Sequence, residues 1–308
     1  MKNHLIGVTT ALFLALPGTG ALAEPQTFES PEAGAEALIA ALRAGGGEPI
    51  LKVFGPESKD IIVSDDPERN RADREDFIAA WDELHRVAVD ETGAARIYIG
   101  RDQFPFPIAL VEVDGGWQFD VVAGREELID RRIGRNELDV IELMEAYVLV
   151  QQRFRQTDWD GDGVMEFAHH ILSSSDARDG LYWPPAEGVP ESLIGDAIAR
   201  AAAQGYEIDG EVVEPEPYLG YYFHILEGQA EGAPGGAVSY LVNGNMVAGH
   251  ALLAFPSDYG DTGVMSFIVS ENGVVHEQDL GDDTIDRASA IELFDPSQGW
   301  TPVEDPTN

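Results

Sequence analysis

Cysteine is absent from the chain. That excludes disulfides, a cysteine nucleophile and a lipid-anchored cysteine at a processing site. Lysine is almost absent, with three in 308 residues, so Schiff-base chemistry has few candidates. There is no Gly-x-Ser-x-Gly elbow. The glycine run "GGGEPI" at 45–50 lacks the lysine of a phosphate loop. No apolar run reaches the roughly 20 residues that span a bilayer. Positive charge is scarce as well: 19 basic side chains face 56 acidic ones, a formal charge of −37. Phosphate backbones and anionic headgroups repel such a body, which argues against nucleic-acid and membrane-surface partners.

The first residues carry one lysine, an apolar run from Leu5 to Pro17 and then Ala21-Leu22-Ala23 before Glu24. This is the pattern of a secretory signal peptide cleaved after Ala23. A periplasmic or secreted destination is expected, with a mature chain that is not an integral membrane protein. Removal of the leader takes Lys2 and no acidic residue, leaving 56 acidic against 18 basic side chains, a charge of −38. Without disulfides the mature chain must be held by its core, and 44% hydrophobic residues supply one.

"SPEAGAEALIAALRAGGG" predicts a helix with Ser30 as N-cap, Pro31 at its first position and glycines 45–47 as the stop. A second helix is expected over about 71–86, with Phe77, Ile78, Trp81 and Leu84 on one face. The period then becomes two. "ARIYIG", "FPIALVEV" and "GWQFDVV" read as strands, the last two joined at Asp114-Gly115-Gly116. A long helix follows with a break at Gly134, and beyond it Leu138, Ile141, Tyr147, Val148 and Phe154 recur at helical spacing. A short helix through "FAHHILSSS", a loop "DGLYWPPAEG" and a helix "PESLIGDAIARAAAQG" come next. From Tyr218 onward the pattern is antiparallel β, with hairpin turns at Asn243-Gly244 and Asn272-Gly273.

The expected fold class is α+β. Residues 1–23 are the leader, and 24–134 form helices plus an antiparallel sheet in a cone- or cystatin-like roll. Residues 135–300 form a long helix packed on a β-meander, and 301–308 a frayed tail.

Three stretches carry a family resemblance: "GGWQFDVVAGREELIDRRIGRNEL", "DWDGDGVMEFAHHILSSSDARDGLYWPP" and the segment from "GYYFHILEGQ" to "ENGVVHEQDLG". Together they resemble the bacterial family catalogued as domain of unknown function 2950, over nearly the whole mature chain. The resemblance implies an exported protein and no established activity. The long helix, the acidic loop and the "GYYFHI", "ALLAFP" and "GVMSFIVSENGVV" strands are also similar to the soluble heads of type IV pilins and pseudopilins. That likeness implies a pilin-type head. It implies no filament, because the helix is internal and carries Glu137, Asp139, Glu142 and Glu145.

"TDWDGDGVMEFAHH" at 157–170 is the densest set of candidate ligands. In a helix-loop-helix calcium site, positions 1, 3 and 5 give carboxylates, 6 is glycine and 12 is a bidentate glutamate. Counted from Asp158, the chain supplies Asp160, Asp162 and Gly163, but position 12 is His169. One reading is a calcium site of Asp158, Asp160, Asp162 and Glu166; the other is an Asp/Gly turn whose carboxylates cap backbone N–H groups.

Glu166 and His169 also form a Glu-x-x-His pair, but the second pair of a di-iron site is missing, the nearest relative being Asp82 to His85. A zinc site of His169, His170 and a distant His224 or His250 is compatible with the sequence, which lends it no further support. Arg125, Arg131, Arg132 and Arg135 form a basic cluster suited to an anionic ligand or partner. Alternatively they pair with Glu126, Glu127, Asp130 and Glu137.

The reading is therefore a non-catalytic binding or envelope-assembly protein, whose partner is an envelope protein or small ligand, with a structural calcium loop. The alternatives are a metal-dependent hydrolase centred on Asp162, Glu166 and His169, and a pilin-like assembly component.

Overall fold

The computed structural model describes residues 25–62, 67–174, 178–202, 206–208 and 211–304. The predicted leader over 1–23 and the end of the tail lie outside these residues. The architecture is α+β, helices with antiparallel sheets, and the chain divides into two compact units, one ending at Glu127 and the next beginning at Leu128.

In the first unit, α1 (Pro31–Ala44) starts where Ser30 accepts a hydrogen bond from the Ala33 N–H at 3.2 Å, satisfying one of the first-turn donors a helix leaves unpaired. Gly45 and Gly46 stop it at positive φ, but Gly47 begins a further helix, α2 (Gly47–Phe54), which buries Ile50, Val53 and Phe54. A 3-10 turn, a short α3 (Lys59–Ile62) and α4 (Pro67–Glu83) follow.

The second helix therefore ends earlier than its periodicity predicts. Trp81 is buried, whereas Leu84 is exposed and the chain leaves as β1 (His85–Val89). β1 pairs with β2 (Ala95–Ile99), which also pairs with the two-residue β3 (Phe104–Pro105) and with β4 (Leu110–Val113); β5 (Gly116–Phe119) completes an antiparallel sheet. Leu38, Ile39, Phe54, Trp81, Ile97 and Leu110 fill the core. Gly34 lets α1 close on the sheet, since a Cβ there would sit 2.3 Å from Leu110 Cδ2.

The helix α5 (Val121–Phe154) is continuous. Gly134, expected to break it, stays helical, with open space where a Cβ would sit. The buried stripe is Val140, Met144, Tyr147, Val148, Gln151 and Phe154, while Leu138 is exposed. The stripe is thus phased on Val140 and Met144.

The helix's second-unit part faces a five-stranded antiparallel sheet in the order β10 (Tyr221–Leu226), β15 (Ala251–Pro256), β16 (Met265–Ser270), β17 (His276–Asp279) and β18 (Thr301–Pro302). Every residue of β15 is buried, as a central strand covered on both faces requires. Glu137 of α5 accepts the N–H groups of Val264 and Met265, both at 2.9 Å, and Tyr147 donates to the Ala251 carbonyl at 3.3 Å. The start of the predicted frayed tail is held, with β18 paired to β17 and the Val303 N–H donated to Val275.

Four smaller pairs shape the rest of the described residues. β6 (His170–Leu172) runs parallel to β7 (Gly180–Tyr182), replacing the helix expected through "FAHHILSSS". β8 (Tyr206–Ile208) pairs with β9 (Glu211–Val213), and the helix expected before them shrinks to α6 (Asp196–Arg200). β11 (Gly228–Gln229) pairs with β12 (Val238–Ser239), and β13 (Leu241–Val242) with β14 (Asn245–Met246). The last hairpin turns at Asn243 (φ 54°) and Gly244 (φ 96°), the left-handed pair that a two-residue turn demands. α7 (Thr284–Ser289) lies between β17 and β18. Among the described residues no helix is long and apolar enough to cross a membrane.

Candidate functional site

The acidic loop leaves the end of α5, where the Trp159 indole donates to the Phe154 carbonyl at 2.9 Å. Gly161 (φ 80°) and Gly163 (φ 91°) fold the loop back on itself, a conformation side chains resist. Carboxylate oxygens of Asp158, Asp160 and Asp162 thereby come within 4.8 Å of one another.

They also cap the loop. Asp158 accepts from the Gly161 N–H at 2.8 Å and the Gly163 N–H at 3.0 Å. Asp160 accepts from Asp162 N at 3.2 Å, and Asp162 from Val164 N at 2.7 Å and from the Asn245 amide of β14. The hydrogen bonds that make the Asp/Gly turn thus also gather three of the four carboxylates of the calcium reading.

Glu166 is not one of the three gathered carboxylates; its Oε2 accepts the Met246 N–H at 2.8 Å. Partial burial raises its pKa above the ordinary carboxylate value, and the Met246 N–H opposes that while the charges of Asp160 and Asp162 add to it.

His169 is not one helical turn from Glu166, because residues 164–169 are not helical. The Phe167 N–H goes to the Met246 carbonyl at 2.8 Å, and Ala168 is bracketed by Gln151. The Glu-x-x-His pair therefore lacks its scaffold. Its distant relative is equally engaged, with Asp82 paired to Arg43 and His85 stacked on Trp81. The hydrolase triad is spread over different neighbours: Asp162 on Asn245, Glu166 on Met246 and His169 on His170.

A second cluster forms at β6 and β7. His169 Nε2 lies 2.8 Å from His170 Nε2, and His170 Nε2 lies 3.8 Å from Asp179 Oδ2. Asp179 is itself fixed by the N–H and hydroxyl of Ser174, each at 2.8 Å. His169 and His170 open onto a cleft of about 960 Å3 whose walls include His224, Glu227, Ser239 and Glu292. Burial holds the pKa of His170 and of His224 below the ordinary histidine value, which favours neutral imidazoles. His224 was legible as a candidate. Asp179 and Glu227 were not, because nothing in their spacing from the histidines marks them.

The other candidates are placed differently. His250 is fully buried between Tyr147 and Phe167, both ring nitrogens unpartnered, so it belongs to the core and not to a metal site with His169. Arg125 pairs with Asp60 and donates to the Glu57 carbonyl. Arg132 pairs with Asp261. Both pair with residues remote in sequence, and Glu137 is taken by backbone N–H groups instead. Arg131 also has a partner, and Arg135 is exposed.

The second unit is thus a helix-backed antiparallel sheet bearing an acidic turn and a histidine-lined cleft. A family model described as a protein of unknown function, DUF2950, matches residues 25–303, and the chain belongs to that family. No curated protein and no solved structure matched it.

Proposed function

We propose that this is an exported envelope protein that binds a small organic cation in the cleft of its second unit. The leader pattern over residues 1–23 supports export. The observation that carries the binding reading is the cleft itself, about 960 Å3 with Glu227, Glu292 and neutral imidazoles on its walls. That size suits a small molecule, and carboxylates beside neutral histidines favour a positively charged one.

Binding fits the lining better than nucleophilic catalysis does. The Ser173 hydroxyl donates to the Gly180 carbonyl and the Ser174 hydroxyl to Asp179, so neither is held by a histidine base. The acidic loop plays a separate, structural part in this reading: calcium on Asp158, Asp160 and Asp162 clasps the end of α5 to the β13–β14 hairpin through Asn245.

The test is calorimetric titration of the mature chain with a panel of amines, basic amino acids and basic dipeptides. Ser239→Trp, which fills the cleft from an exposed strand position, serves as the control. Saturable binding lost in Ser239→Trp supports the proposal. No binding across the panel, or binding unchanged by Ser239→Trp, overturns it.

A further inference from the structure

We infer that His169, His170 and Asp179 form a three-ligand site for a zinc-class divalent ion at the edge of the cleft. Neighbouring side chains on an extended chain point to opposite sides. Here they converge instead. The His169 N–H is held by the Asp179 carbonyl at 3.2 Å, and His170 sits in register with Gly180 across the parallel β6–β7 pair. The two rings then turn edge to face, with their Nε2 atoms 2.8 Å apart.

The third donor is preset. Asp179 Oδ2 lies 3.8 Å from His170 Nε2, and the three ligand atoms lie within 4.8 Å of one another. An ion bonded tetrahedrally at about 2.0–2.1 Å places its donors roughly 3.3–3.4 Å apart. The 2.8 and 3.8 Å separations bracket that value, so small ring rotations complete the geometry. Ser174 anchors the carboxylate, its N–H donating to Oδ1 and its hydroxyl to Oδ2, the kind of outer contact that orients metal ligands.

Two imidazoles and one carboxylate suit zinc-class ions, whereas the all-oxygen group of Asp158, Asp160 and Asp162 suits hard cations. Three protein ligands leave a fourth position, and the cleft onto which His169 and His170 open is where it faces. Only that last step rests on the cleft reading; the ligand set stands without it.

The test uses the mature chain carrying Asp160→Asn and Asp162→Asn, so that the acidic loop does not compete. Zinc affinity is measured against a chromogenic chelator, and cobalt(II) is added to follow the visible absorption of a tetrahedral site. One equivalent of zinc and an intense cobalt spectrum are expected. Ser174→Ala should weaken zinc by about 10-fold. His169→Gln, His170→Gln and Asp179→Asn, each checked for native circular dichroism, should weaken it by more than the roughly 100-fold upper range of such outer-contact losses. Zinc bound equally by the three ligand variants, or displaced by equimolar calcium, overturns the site. Zinc retained in Ser239→Trp without amine binding separates the two proposals, as does amine binding without zinc.

Discussion

Gln151 brackets Ala168: its Oε1 accepts the Ala168 N–H at 2.9 Å while its Nε2 donates to the Ala168 carbonyl at 2.8 Å. A fully buried side chain of α5 thus stands in for a strand partner, directly before His169. Gln151→Leu orphans both backbone groups, at about 1–3 kcal/mol each. Urea unfolding should show that loss, and the variant should also lose the fixed position of His169. A midpoint unchanged from the parent would mean that Ala168 finds other partners.

His250 predicts an acid-sensitive core. Burial first, and then the Arg155 charge, hold its pKa down at about 4, against an ordinary value of 6.5. The unfolded chain therefore takes up a proton that the folded chain refuses. Stability from this residue is complete above pH 6.5 and is lost as pH falls towards 4. His250→Phe should remove that dependence, and with it two unpartnered nitrogens. Its thermal midpoint should gain more at pH 5 than at pH 8; an equal change at both would refute the assignment.

Glu166 has the opposite sign. Its folded pKa is raised, chiefly by burial, so the folded chain keeps its proton to higher pH than the unfolded chain. Stability should fall as pH climbs from the ordinary 4.5 through the raised value, then level off. Glu166→Gln should flatten that slope, and Gln can still accept the Met246 N–H.

Calcium on the three aspartates would neutralise the charges that help to raise Glu166 and would shrink the same slope in the parent. At 100 times its dissociation constant it should add about 2.7 kcal/mol. Melting curves with and without calcium check both effects. Asp160→Asn with Asp162→Asn should abolish the gain, and a gain that persists would place the ion elsewhere.

The phase of α5 is testable by contrast. Phe154→Ala opens the second core and should cost about 3–5 kcal/mol. Leu138→Ala, at an exposed position, should stay within about 0.5 kcal/mol. Denaturant midpoints for the two would expose any error in the helix's facing.

Local chemistry was readable in the sequence wherever one residue decides the geometry. The Ser30 cap and the Asn243-Gly244 turn appear as expected, as does a turn at Asn272-Gly273, where the Ser270 carbonyl accepts the Gly273 N–H. Misreadings fall where remote partners decide. "FAHHIL" has helix-compatible spacing, but Gly180–Tyr182 captures it as a strand. Leu138 looks as apolar as Val140, and only the packing surface chooses between them. α2 is short and opens with glycine and an early proline, so it carries little periodic signal. Within the candidate sites, the three aspartates were legible from their spacing. Asp179 was not, since it reaches His170 only through the β6–β7 pairing.

The β13–β14 hairpin gives the acidic loop a gauge that lies 80 residues downstream of it. Asn245 holds Asp162, while Met246 holds Glu166 and receives Phe167. These grips fall on consecutive residues just past a two-residue turn. One residue inserted at Asn243-Gly244 would slip the register and turn the Asn245 amide to the opposite side. The loop's own sequence would be untouched, yet it would lose its anchor. In this chain the length of a distant turn is therefore part of the specification of "DWDGDG", and any redesign of one must carry the other with it.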